Sequence, residues 1–365
     1  MYNIEEFTAD ENLLRRLKDC ISNPGADGVL RSAKMKVTPR CNLRCRMCSY
    51  WRYESQPEMS TERLLSLIDE LADMGVRKIH FSGGEPLLRS DIFDAIGRCT
   101  ARKIRANITT NGTMVDHERA KMLVKSGARS VSVSIDGPTA KVHDQIRGVD
   151  GAFKKAVSAV ERLAEARDKY SRRKRMRIRI NTVLQRDNWR HLPEIVRLAG
   201  KLGADEMHPM PVDPKKPAML IKKSEIKDFN LCIAPEVETL RIRLGFSTDP
   251  LLVYPFGQSK DDINHAREGR YALGFFDEHL CYVPWLHLFI AWNGDVYPCC
   301  MTRGRVKSLG NLIENSVEEV FTGEEYSRLR RVFIRNRLPE CARCDNFLHE
   351  NHLLVEALEK PSQAA

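Results

Sequence analysis

The sequence predicts an α/β fold: a parallel sheet, curled or closed, followed by a smaller α+β domain. Three observations carry this. Strand-like and helix-like periods take turns from residue 33 to about 210. After about residue 275 the alternation stops, and an Asn293-Gly294 dipeptide sits between apolar runs, a strong hairpin signal. Cysteines at metal-ligand spacing occur once in each region, at 41–48 and at 281–344.

The elements follow in order. Residues 1–32 read as a helical lead-in with Leu13, Leu14 and Leu17 on one face. Residues 33–39, AKMKVTP, alternate as a strand does and run straight into the first cysteine group. Further strands are expected over Lys78–Ser82, Arg105–Thr110, Ser130–Ile135, Met176–Leu184 and Glu206–Met210. Helices are expected over Ser60–Met74, Ser90–Ala101, Asp116–Ser126, Ala152–Arg167 and Leu192–Lys201. Ser60 and Ser90 read as N-caps, and Gly75 and Gly127 as C-cap residues. Six strands with five helices between them over 33–215 read as a partial (β/α)6 barrel, with chemistry expected at the C-terminal strand ends. The Pro- and Lys-rich stretch 211–224 closes it. A helix near Glu225–Leu244 and a loop through Leu251–Gln258 form a linker, 216–274. Residues 275–365 read as a second, metal-stapled domain with a β-hairpin.

Composition narrows the function classes. With 42% apolar and 30% charged residues in 365, this is an ordinary globular chain with room for a full core. A formal net charge of +10 favours anionic partners. Its densest run, Arg172–Lys174–Arg175–Arg177–Arg179, reads as a solvated face. No interleaved aromatic and basic stripe accompanies the charge, so nucleic acid is not an expected partner. The start, MYNIEEFTAD, lacks an apolar signal region, and no stretch approaches the ~18 apolar residues of a membrane span. A cytoplasmic protein is expected, and in that compartment eleven cysteines point to metal or redox chemistry rather than disulfides.

Cys41-Asn-Leu-Arg-Cys45-Arg-Met-Cys48 directly follows the first strand. Spacings of four and three let one short loop aim three sulfurs at a point. Three thiolates on a four-iron cluster leave one iron open to bind substrate. A zinc site would need a fourth local ligand, and the next candidate, His80, lies inside a strand.

This cluster resembles the signature of the radical S-adenosylmethionine (SAM) superfamily, C-x3-C-x2-C with an aromatic nearby, here Tyr50. The resemblance continues in order over residues 33–210. Gly83-Gly84-Glu85-Pro86 looks like the motif for the SAM amino group; glycine permits close approach, and a carboxylate or carbonyl accepts from an ammonium. Thr109-Thr110-Asn111-Gly112 and Ser132-Val-Ser134-Ile-Asp136-Gly137 end the next two strands. By resemblance, Ser134 and Arg147 hold the SAM carboxylate with Asn111 and Asp136 nearby, while Asn181 and Val183 face ribose and adenine. The resemblance implies a partial TIM-type barrel, a [4Fe–4S] cluster on Cys41, Cys45 and Cys48, SAM as cofactor, and a flavodoxin- or ferredoxin-type electron donor. It implies reductive cleavage of SAM to a 5′-deoxyadenosyl radical that takes a hydrogen atom from the substrate.

In the second set, Cys281 and Cys299 are brought to one end of the sheet by the hairpin, and Cys341 and Cys344 supply two more thiolates. Local chemistry leaves zinc and an iron–sulfur cluster both open. The pattern resembles the twitch domain, a truncated SPASM domain, which implies one auxiliary [4Fe–4S] cluster and two clusters in all. Cys300 is either an alternative to Cys299 or a spare thiol. Cys20 and Cys99 read as buried small hydrophobes.

The twitch spacing is similar to that of an aminocyclitol dehydrogenase. This implies a small-molecule substrate, anionic or polyhydroxylated (a sugar, aminocyclitol or nucleotide-linked sugar), with an alcohol oxidised and the auxiliary cluster as electron acceptor. His208 and Arg147 are the candidate bases. The alternatives are thioether formation or side-chain oxidation in a peptide or protein, and a redox-neutral epimerisation or decarboxylation with Cys232 or Cys300 as hydrogen donor.

Overall fold

Alternation of apolar residues along six short segments builds the sheet. These are β1 (Ser32–Lys36), β2 (Lys78–Ser82), β3 (Arg105–Thr110), β4 (Ser130–Ser134), β5 (Arg177–Leu184) and β6 (Glu206–Pro211). One parity of each strand is buried with the helices in the main core: Ala33, Met35, Ile79, Phe81, Ile108, Val131, Ile178 and Met207 among them. The other parity is polar and lies on the face the helices leave uncovered, because successive strand side chains point to opposite faces. The structure is a computed structural model that describes residues 4–23, 28–53, 57–171, 176–213, 215–345 and 347–359. Of the basic run read above, Arg172, Lys174 and Arg175 lie outside these residues. Arg177 is exposed as expected, whereas Arg179 is half-buried on the polar face of β5.

Strands β1 to β6 pair in parallel in chain order, joined by helices. The helix Thr61–Asp73 starts where the Ser60 side chain accepts from the Arg63 N–H, and buries Leu64, Leu67, Ile68 and Leu71. Each such side chain contributes on the order of 1.5–3 kcal/mol. Gly75 (φ 92°) and Gly127 (φ 90°) turn the chain after the helices Thr61–Asp73 and His117–Lys125. Ser90 is not an N-cap: the helix Ile92–Ala101 is preceded by Asp91. The Asp91 carboxylate makes no capping bond because Arg89 and Thr61 occupy it, at 2.5 and 2.7 Å.

The C-terminal hairpin is where the expected architecture changes. Its strands are β7 (His287–Ile290) and β8 (Val296–Tyr297), shorter than expected because Val283–Leu286 is a helical turn. Gly294 (φ 84°) makes the turn between them. β7 pairs in parallel with β1, Ser32↔His287 to Met35↔Ile290, and β8 continues antiparallel. The result is one open eight-stranded sheet, β6-β5-β4-β3-β2-β1-β7-β8, not a barrel sheet and a separate hairpin. Leu288 and Ile290 join the barrel core. The lead-in helix Glu11–Ser22 puts Leu17 and Cys20 into a second core with Trp285, Phe333 and Phe347. The linker runs through Lys223–Asp228, a π-helical turn Phe229–Ile233, and Ala234–Leu244. Among the described residues no helix is long and apolar enough to cross a membrane.

Candidate functional site

The loop after β1 carries Cys41, Cys45 and Cys48 to the C-terminal ends of the strands. Backbone bonds fix it on two sides. The Gly84 and Glu85 N–H groups donate to Thr38 and Arg40 carbonyls (both 2.7 Å), and the Arg44 and Arg46 N–H groups donate to Arg147 and Ile146 (3.2 and 3.0 Å). This is why two glycines stand at 83–84. A Cβ on Gly83 would lie 2.5 Å from the Thr38 carbonyl, and one on Gly84 would run into the Arg40 carbonyl. The close approach these glycines permit is therefore by the thiol loop itself.

Glu85 is placed differently from the expectation. Its carboxylate is fully buried. It accepts from the Leu87 N–H (3.1 Å), the Thr110 hydroxyl (2.7 Å) and the Asn111 N–H (2.7 Å). With its oxygens committed to the ends of β2 and β3, the side chain positions the site, and backbone carbonyls are left as the acceptors for an ammonium. Asn111 does stand at the thiols, its Nδ2 4.0 Å from the Cys41 sulfur and 2.8 Å from Asn42 Oδ1.

Arg147 and Asp136 form a buried ion pair, Nε to Oδ2 2.8 Å. Arg147 Nη1 also lies 3.8 Å from the Cys45 sulfur, and Asp136 Oδ1 accepts from the Val183 N–H at 2.8 Å. Burial works against the guanidinium, but Asp136 and the Cys45 sulfur outweigh it and hold Arg147 protonated. It cannot serve as a base. Val183 has its N–H bound by Asp136 and its carbonyl by Asn188 Nδ2 (2.9 Å), so its side chain alone remains for an adenine contact. Ser134 and Asn181 are register partners at the ends of β4 and β5 and, among the described residues, make no side-chain hydrogen bond.

The other catalytic candidates are less favourably placed. His208 is pushed down to about 3, chiefly by burial and then by Arg179 and Arg241. A group that binds a proton this weakly does not draw one from a hydroxyl at neutral pH. Cys232 is exposed on the linker helix beside the exposed Leu231.

Sequence reasoning missed the group around Tyr50. Arg303 lies over the rings of Tyr50 (5.2 Å), Tyr53 (5.7 Å) and Trp292 (4.3 Å), Tyr50 meets Trp292 edge-on at 5.8 Å, and the Lys36 ammonium stands 4.5 Å above Tyr50. These contacts lock the thiol loop to the turn of the C-terminal hairpin.

The second thiol set surrounds a small apolar cavity of about 20 Å³. Cys281, Cys299, Cys341 and Cys344 line it, with Phe276, Val283, Met301, Phe333 and Phe347. Cys299 is in the lining and Cys300 is not; Cys300 packs against Phe289, Ala291 and Tyr297 as well as against the second core. Burial raises all four lining thiols, Cys299 to about 12 and Cys341 to about 11. Cys41 is raised to about 11 by the same cause. Among the described residues no three Cys, His, Asp or Glu side chains converge as one metal ion requires. Zinc draws its thiolates to about 2.3 Å from one centre. Four thiols lining one apolar pocket are a donor set that an iron–sulfur cluster takes.

Comparison with known proteins agrees with this geometry. Residues 35–199 match the radical SAM superfamily, and residues 281–345 match an iron–sulfur cluster-binding domain, SPASM. The chain therefore carries a radical SAM domain followed by a SPASM-type domain, and with them the sites for SAM, its [4Fe–4S] cluster and auxiliary iron–sulfur binding. Among particular relatives, it is 35% identical to the AdoMet-dependent heme synthase of Oleidesulfovibrio alaskensis over 175 residues, 47% of this chain and 43% of that protein. It is 32% identical to the PqqA peptide cyclase of Granulibacter bethesdensis over 171 residues, 46% of this chain and 44% of that protein. The matches thus span less than half the length of these curated relatives. The crystal structure of Streptococcus suis SuiB bound to S-adenosylmethionine shares the fold, with TM-score 0.65 at 16% identity over 93% of this chain and 78% of that one.

Proposed function

We propose that this protein is a radical SAM enzyme that oxidises a small polar substrate, with the C-terminal cluster as electron acceptor. The observation that carries the reading is the pair of thiol sets: three cysteines on one loop at the strand ends, and four around an apolar pocket. When bound, SAM and its cluster supply a 5′-deoxyadenosyl radical that takes a hydrogen atom from the substrate. The chain's own residues do the positioning. Cys41, Cys45 and Cys48 hold the cluster and leave one iron for SAM. Arg147 steadies the Cys45 thiolate, and Ser134 and Asn181 offer unpaired polar groups to the SAM carboxylate and ribose. Tyr50, Trp292 and Arg303 cover the loop from one side and keep water from it. A substrate bearing a secondary alcohol, such as a sugar or aminocyclitol, is the class this reading takes. It places the protein in the cytoplasm with a flavodoxin or ferredoxin as reductant.

A second reading, modification of a peptide, draws on the likeness of the barrel segment to PqqA peptide cyclases. Anaerobic reconstitution followed by dithionite and SAM tests the primary claim. About eight irons per chain and formation of 5′-deoxyadenosine are expected. About four irons with one zinc would remove the acceptor cluster, and an oxidised peptide in place of an oxidised alcohol would select the second reading.

A further inference from the structure

The polar face of the barrel sheet carries more positive charge than the sequence run suggested. Lys34 and Lys36 on β1, Lys78 on β2 and Arg179 on β5 all occupy its inward-facing parity. All four are half-buried. His80, bonded through Nε2 to the Thr109 hydroxyl at 2.9 Å, lies within electrostatic reach of all four at once. Burial and mutual repulsion pull the Lys36 and Lys78 ammonium groups down to about 8. None of the four forms an ion pair among the described residues. Glu206 is the single acidic residue at an inward-facing position of β1 to β6, and Arg241 engages it at 2.9 Å. Glu206 and Asp205 attract Arg179, but among the described residues no acidic group acts on Lys78; cations withdrawn from water are costly unless an anion joins them.

We propose that this face seats an oxyanion of the substrate, a carboxylate or phosphate, against Lys34, Lys36, Lys78 and Arg179. The inference rests on the reading of the strand ends as the SAM site, since it places the anion in the lumen below that site. Lys36 links the two: it shares β1 with Lys34, and its ammonium stands 4.5 Å over the Tyr50 ring beside the thiol loop. A substrate held by its anionic end would extend toward the thiol loop. The SAM carboxylate belongs elsewhere, near Ser134 at the end of β4.

The test is calorimetric titration of the anaerobically reconstituted, SAM-loaded full chain with citrate and, separately, with inorganic pyrophosphate at low ionic strength. Saturable binding of one of them is expected, and which one binds tells carboxylate from phosphate. Lys78→Gln and Arg179→Gln should each weaken it roughly tenfold or more, as loss of a charge-assisted hydrogen bond does. Lys78→Arg should restore most of it, and added KCl should weaken it throughout. Binding by neither probe, equal binding in the Gln variants, or binding that disappears once SAM is loaded overturns the proposal. Dithionite-driven 5′-deoxyadenosine formation, measured on the same wild-type sample, judges the underlying reading on its own.

Discussion

At the scale of single residues, the site depends on which sulfur points where and on one buried charge pair. Cys299 lines the four-thiol cavity and its neighbour Cys300 does not. Cys299→Ala should therefore lower the iron content of the reconstituted protein by about four atoms per chain, the content of one four-iron cluster. Cys300→Ala should leave it unchanged, and the reverse pattern would show that the wrong thiol has been assigned. Arg147→Met leaves the Asp136 carboxylate buried without its partner. Removing one member of a buried pair costs on the order of 3–5 kcal/mol. Urea denaturation should show a loss of that size, with weaker iron retention because Cys45 loses its neighbouring cation; an unchanged midpoint would mean the pair is not formed. The thiols were legible in the sequence because spacing alone fixes which sulfurs share a loop. The partners of Glu85 were not. A carboxylate beside two glycines reads equally well as a ligand group or as a structural acceptor, and only the approach of β3 decides. Trp292 and Arg303 were illegible for the same reason, since each meets Tyr50 from far along the chain.

At the scale of elements, the strands and helices of the barrel fall within a few residues of where periodicity puts them, because each buries one face against a common core. The hairpin departs from its sequence pattern. Its apolar run PWLHLFI reads as one strand, but Val283–Leu286 turns helical and β7 keeps four residues. Pairing with five-residue β1, not local propensity, sets its length. Contacts between elements also give a pH dependence. His349, on the C-terminal helix Leu348–Glu359, meets Asp249 at 2.9 Å, the residue that starts the short helix Pro250–Val253. Hydrogen bonding to Asp249 raises His349, and the same bond lowers Asp249. The His349 contribution is complete below its unfolded value of about 6.5 and is lost as pH rises through the raised folded value. The Asp249 contribution is complete above about 3.9 and is lost as pH falls through its lowered one. The bridge therefore stabilises most between those limits. The difference in urea midpoint between wild type and His349→Asn should be greatest near pH 5.5 and shrink toward pH 9. A difference that does not vary with pH would mean the two groups do not pair in solution.

At the scale of the whole molecule, the two sequence matches suggest two modules, but the sheet does not divide that way. β7 hydrogen-bonds along β1, and Leu288 and Ile290 complete the barrel core. The lead-in helix contributes Leu17 to the core around Trp285 and Phe347, so residues far apart in the chain share one core. Arg63, in the helix after the thiol loop, bonds the carbonyls of Leu312 and Asn315 at 2.5 and 2.9 Å. With backbone, apolar and charged contacts all crossing the presumed boundary, opening one part exposes core of the other, and the two should unfold together. Tryptophans report on each: Trp189 is buried in the barrel core, and Trp285 in the C-terminal one. In guanidinium titrations of the reconstituted chain, a Trp189-only variant and a Trp285-only variant should give coincident midpoints, matching the far-ultraviolet circular dichroism. Two resolved transitions, with Trp285 melting first, would mean that the β1–β7 ladder is too weak to couple the units. The thiol loop would then be held by a dock that opens independently, and retention of the first cluster should follow the Trp285 transition instead of the barrel's.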